Sequence, residues 1–231
     1  MRHEAGWRRN RVVKLGAAIA AIVFLLSATR SVSGAARFNA GLPCPPRGAK
    51  ILARGRQARV YSPHHPEKGY VWACLTSNGH RQRLGALPPR PVFNESRGVL
   101  LDRTRFRLRA TWVAYSERFL GVDTSVTAVV AKDLDSSTTK YCRLGFTQAP
   151  SALPKVTGIV IKDNGSVAWL GETRPPATTG RGPLTREVGV CDSDGNRVVE
   201  TGEGLQLDSL ALHGSKLSWV NAGNRKSLEL S

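Results

Sequence analysis

The chain alternates short apolar runs with turns, and it does so on a regular beat. Four segments carry one pattern: Ile51 to Tyr61 (ILARGRQARVY), Phe106 to Tyr115 (FRLRATWVAY), Ile159 to Trp169 (IVIKDNGSVAW) and Leu210 to Trp219 (LALHGSKLSW). Each is an alternating run, a polar or Gly-containing turn and a second run ending in an aromatic residue. Alternation at a period of two marks a strand with one face toward a core, so each segment predicts a β-hairpin. The closing aromatics Tyr61, Tyr115, Trp169 and Trp219 lie 54, 54 and 50 residues apart. A fixed period of that order signals a solenoid, propeller or array.

A second pattern follows each of the first three aromatics: an apolar strand, a turn, then a more polar strand. Tyr70 to Leu75 leads through Ser77-Asn78-Gly79 to His80 to Leu84, and Thr127 to Lys132 leads through Leu134 to Ser137 into Thr139 to Leu144. Glu187 to Cys191 leads through Ser193-Asp194-Gly195-Asn196 to Arg197 to Glu200. Asn-Gly and Asp-Gly between such runs are strong hairpin signals. Each unit therefore holds four strands, the composition of a propeller blade. The expectation is an all-β fold of four-stranded antiparallel blade repeats, with units at about 45–98, 99–152, 153–206 and a partial 207–231. The four aromatics should occupy equivalent places.

The first 36 residues read differently. Leu15 to Thr29 (LGAAIAAIVFLLSAT) is an apolar run behind a basic stretch, followed by the small residues Ser33-Gly34-Ala35-Ala36. This is the layout of an export signal, or of an N-terminal membrane anchor if it is not cleaved, and it predicts a hydrophobic helix ahead of a repeat domain at 37–231. Either way the repeat domain is expected outside the cytoplasm. Cys44, Cys74, Cys142 and Cys191 all lie in the exported part and lack C-x-x-C spacing, so disulfides are favoured over zinc or a redox pair. Pairing Cys44 with Cys74 and Cys142 with Cys191 closes loops of about one repeat or less.

Val167-Ala168-Trp169-Leu170 followed by Val188-Gly189-Val190-Cys191-Asp192-Ser193-Asp194-Gly195-Asn196 resembles a blade of the TolB-like and WD40-type propeller repeats. So does Val113-Ala114-Tyr115-Ser116 followed by Val129-Val130-Ala131-Lys132-Asp133-Leu134-Asp135. The resemblance spans about 50–231 and implies architecture, not activity. A TolB-like ring has six blades, whereas this chain has three units and part of a fourth. Either four blades close a small ring, with a strand before Ile51 completing the last, or the array stays open and takes a partner.

Charge then separates the two halves of the domain. Of the formal net charge of +17, residues 36–110 hold fifteen Lys or Arg against Glu67, Glu95 and Asp102, while 111–231 are balanced. Such a basic field attracts polyanions with a strength that falls as salt rises. Within it Arg103, Arg105, Arg107 and Arg109 alternate with Thr104, Phe106 and Leu108. On one strand they would form a cationic comb with teeth about 6.6 to 6.8 Å apart, suited to phosphate or carboxylate. The same charges would also guard a solvated edge strand against aggregation.

Little else carries chemistry. His64-His65 lies between prolines with no third metal ligand, and Asp192 to Asn196 opens like a calcium loop but lacks the closing acid, so neither a metal nor a cofactor is expected. No G-x-S-x-G, H-E-x-x-H or S-x-x-K motif occurs. These features point to an exported or surface-anchored, non-catalytic binding module. Its expected partners are an anionic surface polymer, lipid headgroups, or a protein at an open strand edge, with no specific nucleic acid. The competing class is a propeller-type hydrolase or lyase acting on a cell-surface polymer, because such sites draw single residues from several blades.

Overall fold

The computed structural model describes residues 43–63, 69–86, 98–101, 105–120, 125–147, 155–173, 176–177, 180–181 and 184–231. The expected N-terminal helix, His64-His65, and Arg103 of the comb lie outside them. Among the described residues all regular structure is strand, and no helix is long and apolar enough to cross a membrane.

Sheet one is an antiparallel meander of Lys50–Arg54 (β1), Ala58–Ser62 (β2), Tyr70–Leu75 (β3) and Arg81–Ala86 (β4). Sheet two follows with Gly98–Leu101 (β5), Arg107–Arg109 (β6), Trp112–Leu120 (β7), Ser125–Asp133 (β8) and Thr139–Thr147 (β9). Its first strand is split: β6 pairs with Trp112 to Ala114 of β7, and β5 pairs with Glu117 to Leu120. A single parallel bridge, Ala86 to Leu100, joins the two sheets. Sheet three contains Lys155–Ile161 (β10) and Val167–Thr173 (β11), a small inserted hairpin of Pro176–Ala177 (β12) and Gly180–Arg181 (β13), then Thr185–Asp192 (β14) and Gly195–Thr201 (β15). Sheet four has three strands, Ala211–His213 (β16), Lys216–Asn221 (β17) and Asn224–Glu229 (β18).

Strand alternation explains how the sheets stack. On β7, Val113 and Tyr115 enter a core shared with Val60, Val71 and Leu84 of sheet one, while Ala114 between them enters a core shared with Ile159 and Trp169 of sheet three. On β11 the pattern repeats: Val167 and Trp169 face sheet two, and Ala168 and Leu170 face Leu217 and Trp219 of sheet four. Sheets buried on both faces need apolar residues at successive positions, which is why the middle strands read as near-continuous runs. Each fully buried Val or Leu contributes about 1.5 to 3 kcal/mol.

The four aromatics of the repeat all lie on the second strand of their sheets and are all buried, at 2%, 3%, 0% and 4% exposure for Tyr61, Tyr115, Trp169 and Trp219. Tyr115, Trp169 and Trp219 each point at the preceding sheet. Tyr61 takes the same side of sheet one, where no sheet precedes it among the described residues.

The array is a stack of blades and not a closed ring. Its cores join sheet one to two, two to three and three to four, and among the described residues none joins four to one. The far side of sheet four is polar, with Lys216 opposite Glu229 and Ser218 opposite Ser227. Residues 43–49 hold no strand that could complete it. Of the two expectations, small ring or open array, the open one is realised.

Two disulfides fasten the stack, and both join the pairs that loop length favours. Cys44 with Cys74 ties the segment before β1 onto β3, and Cys142 with Cys191 ties β9 of sheet two to β14 of sheet three. On the chain-entropy account each stabilises by about 4 kcal/mol. Two such bonds fit an oxidising, extracytoplasmic compartment.

Candidate functional site

The first strands of the sheets are short and adjoin one another in series: β6 lies against β1 and β10, and β10 lies against β16. The turns after β10 and β16 lie close to β6. There the segments 107–109, 160–163 and 212–215 enclose a cleft of about 550 Å³.

Local sequence sets this geometry. Leu108 points into the core between sheets one and two, so its neighbours Arg107 and Arg109 on the same three-residue strand are turned outward and exposed. After β10 the chain reverses over Lys162 to Ser166: the Gly165 amide donates to the Lys162 carbonyl (3.0 Å), and Asn164 Oδ1 accepts from the Ser166 amide (3.0 Å). Gly165 has a φ of 79°, and a Cβ there would strike the Trp112 ring at 2.6 Å, so the turn rests on that indole and admits only glycine. Lys140 covers the ring, its ammonium 5.2 Å from the centroid.

Leu108, Val160, Ile161 and Leu212 form part of the wall, and Arg107, Arg109, Lys162, Asp163 and His213 supply charge and polar groups. Arg109 Nε donates to Asp163 Oδ1 in an ion pair whose two side chains are 63% and 64% exposed. Lys162 Nζ donates to the Leu230 carbonyl (2.8 Å), and one Arg107 Nη donates to its neighbour Phe106's carbonyl (3.3 Å). Three cations thus line the cleft beside one carboxylate, which Arg109 engages. Arg54 and Arg56, both exposed, flank the matching turn of sheet one and extend the positive field.

Chemically this arrangement can hold an anion. Among the described residues that line the cleft, Asp163 is the one carboxylate, so a paired acid and base is not assembled there. No group of three His, Cys, Asp or Glu among the described residues is placed to bind a metal. The Asp192 turn is a hairpin cap: burial raises the Asp192 carboxyl, but two hydrogen bonds from Arg197 (2.6 and 3.2 Å) and the Asp194 amide (3.1 Å) outweigh it and hold the group below its ordinary range.

The expected four-toothed comb needs correction. Among the described comb residues, Arg107 and Arg109 share a strand, and Arg105 precedes it, half-buried and outside regular structure. The cause is the split first strand of sheet two. Phe106 turns into the core beside Tyr115, their ring centroids 6.1 Å apart, and neither Arg105 nor Phe106 belongs to a strand.

Lys162, Asp163 and His213 were not among the expected binding residues, although their signal lay in the repeat. Arg109, Asp163 and His213 are 54 and 50 residues apart, the same spacing as Tyr115, Trp169 and Trp219. Equivalent positions of neighbouring blades meet at the cleft, so three unlike residues converge from one column of the repeat. No family model, no curated protein and no solved structure matches this chain.

Proposed function

We propose that this protein is an exported binding module, secreted or held at the membrane by its N-terminal segment, that captures an anionic partner at the cationic end of its blade stack. The TolB-like character of the repeats belongs to the same reading. The observation that carries it is the convergence of Arg107, Arg109 and Lys162 on a 550 Å³ cleft with only Asp163 to balance them. A cleft with low-dielectric walls focuses such a field and raises the local concentration of an oppositely charged ligand. The enzymatic alternative has less support, since one exposed carboxylate already engaged by Arg109 is poorly placed as a general acid or base.

The test is binding of the purified protein to immobilised polyanions and to anionic vesicles. Raising salt from about 0.05 to 0.5 M shortens the screening length from roughly 14 to about 4 Å and should abolish most of the binding. The double substitution Arg107→Ser with Arg109→Ser should weaken binding far more than Arg225→Ser, which removes an exposed charge from β18. Equal losses would assign the effect to net charge alone, and no binding at low salt would end the proposal.

A further inference from the structure

Asp163 is out of keeping with its surroundings. It is a lone carboxylate at the rim of a cationic cleft, it sits at the tip of a hairpin turn, and it engages only one edge of the Arg109 guanidinium, through Nε. Both partners stand well out in solvent, where an ion pair is worth about 0 to 1 kcal/mol. Such a contact adds little to the fold and is easily exchanged for a better one. A guanidinium has five donors and favours two-pronged contact with a carboxylate, which the Nε contact leaves unused.

Building on the proposed binding role, we propose that Asp163 is an internal stand-in for the ligand, and that the ligand is an acidic stretch of another polypeptide. What occupies Arg109 in the free protein is the carboxylate of an aspartate presented by a polypeptide turn. An Asp or Glu side chain on a partner's loop offers the same group in the same setting. It displaces Asp163 from Arg109 and settles between Arg109 and Arg107, with the cleft-lining residues Val160 and Leu212 beside its neighbours. Asp163 thereby keeps the cleft's charge partly neutralised and sets a threshold that weakly charged chains do not pass.

The experiment measures affinity for poly-L-glutamate at about 0.05 M salt, with polyphosphate and polygalacturonate as comparison ligands. Asp163→Asn should tighten poly-L-glutamate binding roughly two- to fivefold, the factor expected for removing a weak competing pair. The gain should disappear when Arg109→Ser is added. Glu203→Gln, which removes an exposed charge in the 202–210 loop, should change affinity less. Equal gains from the Asp163 and Glu203 variants, or a gain that survives loss of Arg109, would overturn the stand-in role. Tighter binding of polyphosphate or polygalacturonate than of poly-L-glutamate would overturn the polypeptide assignment while leaving the wider binding role intact. Binding of none of the three would remove that wider role itself. Since Asp163 is exposed, an unchanged unfolding midpoint checks that its variant folds.

Discussion

Strands β7 and β8 are packed on both faces, and the two faces are secured by different means. Toward sheet three, Ala114, Val129 and Ala131 meet Ile159, Ile161 and the fully buried Trp169, and the Cys142 to Cys191 bond crosses the boundary covalently. Trp169 fits there because Gly189 opposite leaves room for it; a Cβ at 189 would lie 2.1 Å from the indole. Toward sheet one there is no covalent link. Val113, Tyr115, Ala128 and Val130 pack on Val60, Val71 and Leu84, and Gln82 of β4 donates to the Leu134 carbonyl (2.9 Å) and to Ser137 Oγ (2.9 Å). This face also buries Glu117, 4% exposed, with Oε1 lacking a hydrogen bond and with Leu101 and Ala128 as its cross-strand neighbours. Burial pushes its carboxyl up to about 7, and Lys132 opposes that only in part. One boundary is held by shape and sulfur, the other by packing around a group that titrates near neutrality.

The largest expected effect removes the covalent difference. Replacing Cys142 and Cys191 together by Ala should cost about 4 kcal/mol of unfolding free energy in urea. It should also bring amide exchange of β10 and β14 toward that of β3 and β4. A loss below about 1 kcal/mol would mean that Trp169 and its neighbours already secure this boundary unaided.

Next comes the titrating face. The folded state holds the Glu117 proton more tightly than the unfolded chain, so stability should fall as pH rises from about 4.5 to about 7 and level off above that. The shift corresponds to about 3 kcal/mol at 1.36 kcal/mol per pH unit. Glu117→Gln should remove this share of the slope. Burial also raises Glu187 at the other boundary, opposed in smaller part by the nearby Trp169 indole, and that contribution remains in both proteins. A difference between wild type and variant that stays constant from pH 5 to 8 would show Glu117 ionised throughout.

Shape is tested by glycine. Gly189→Ala should destabilise by about 1 to 3 kcal/mol, because the added methyl collides with a buried ring that has nowhere to move. Gly158→Ala in the same sheet meets its nearest side chain, Leu210, at an ordinary 3.6 Å and should be close to neutral. If both behave alike under thermal unfolding, the fit of Trp169 against β14 is looser than its contacts indicate.

Much of this architecture was legible because blades repeat. The aromatics fixed the second strand of every sheet, and the Asn-Gly and Asp-Gly turns located the third and fourth strands of sheets one and three. What escaped had a physical reason. The four residues of β5 (GVLL) are too short to show a period, and their place is set by pairing with the far half of β7. The sequence of β18 (NRKSLE) has no apolar alternation, because on its packed face only Leu228 is apolar, with Lys226 opposite Trp219 and Asn224 opposite Asn221. At the cleft, alternation along residues 103–109 suggested a comb, whereas the site is built by reading across blades at 109, 163 and 213. Periodicity along one strand says which way a side chain points; periodicity between blades says which side chains meet.

The smallest expected effect lies at the cleft and sets it apart from both boundaries. Removing the Arg109 to Asp163 pair by the double substitution Arg109→Ser with Asp163→Asn should alter stability by less than about 1 kcal/mol, since both groups are solvated. A larger loss in urea unfolding would make the pair part of the scaffold and not of a binding surface.

The strap between β9 and β14 has a mechanical consequence. It encloses β10, β11 and most of β14 in a covalent loop with a sequence separation of 49, so tension applied at the two ends of the domain travels through the sulfur bridge and bypasses them. At about 3.5 Å per extended residue, roughly 170 Å of contour is withheld from any stretching force until the bond is reduced. A domain pulled at its two ends would pay out most of sheet two and sheet four, while most of sheet three, and the part of sheet one from β1 into β3 that Cys44 and Cys74 close off in the same way, stays an unstretched knot of core.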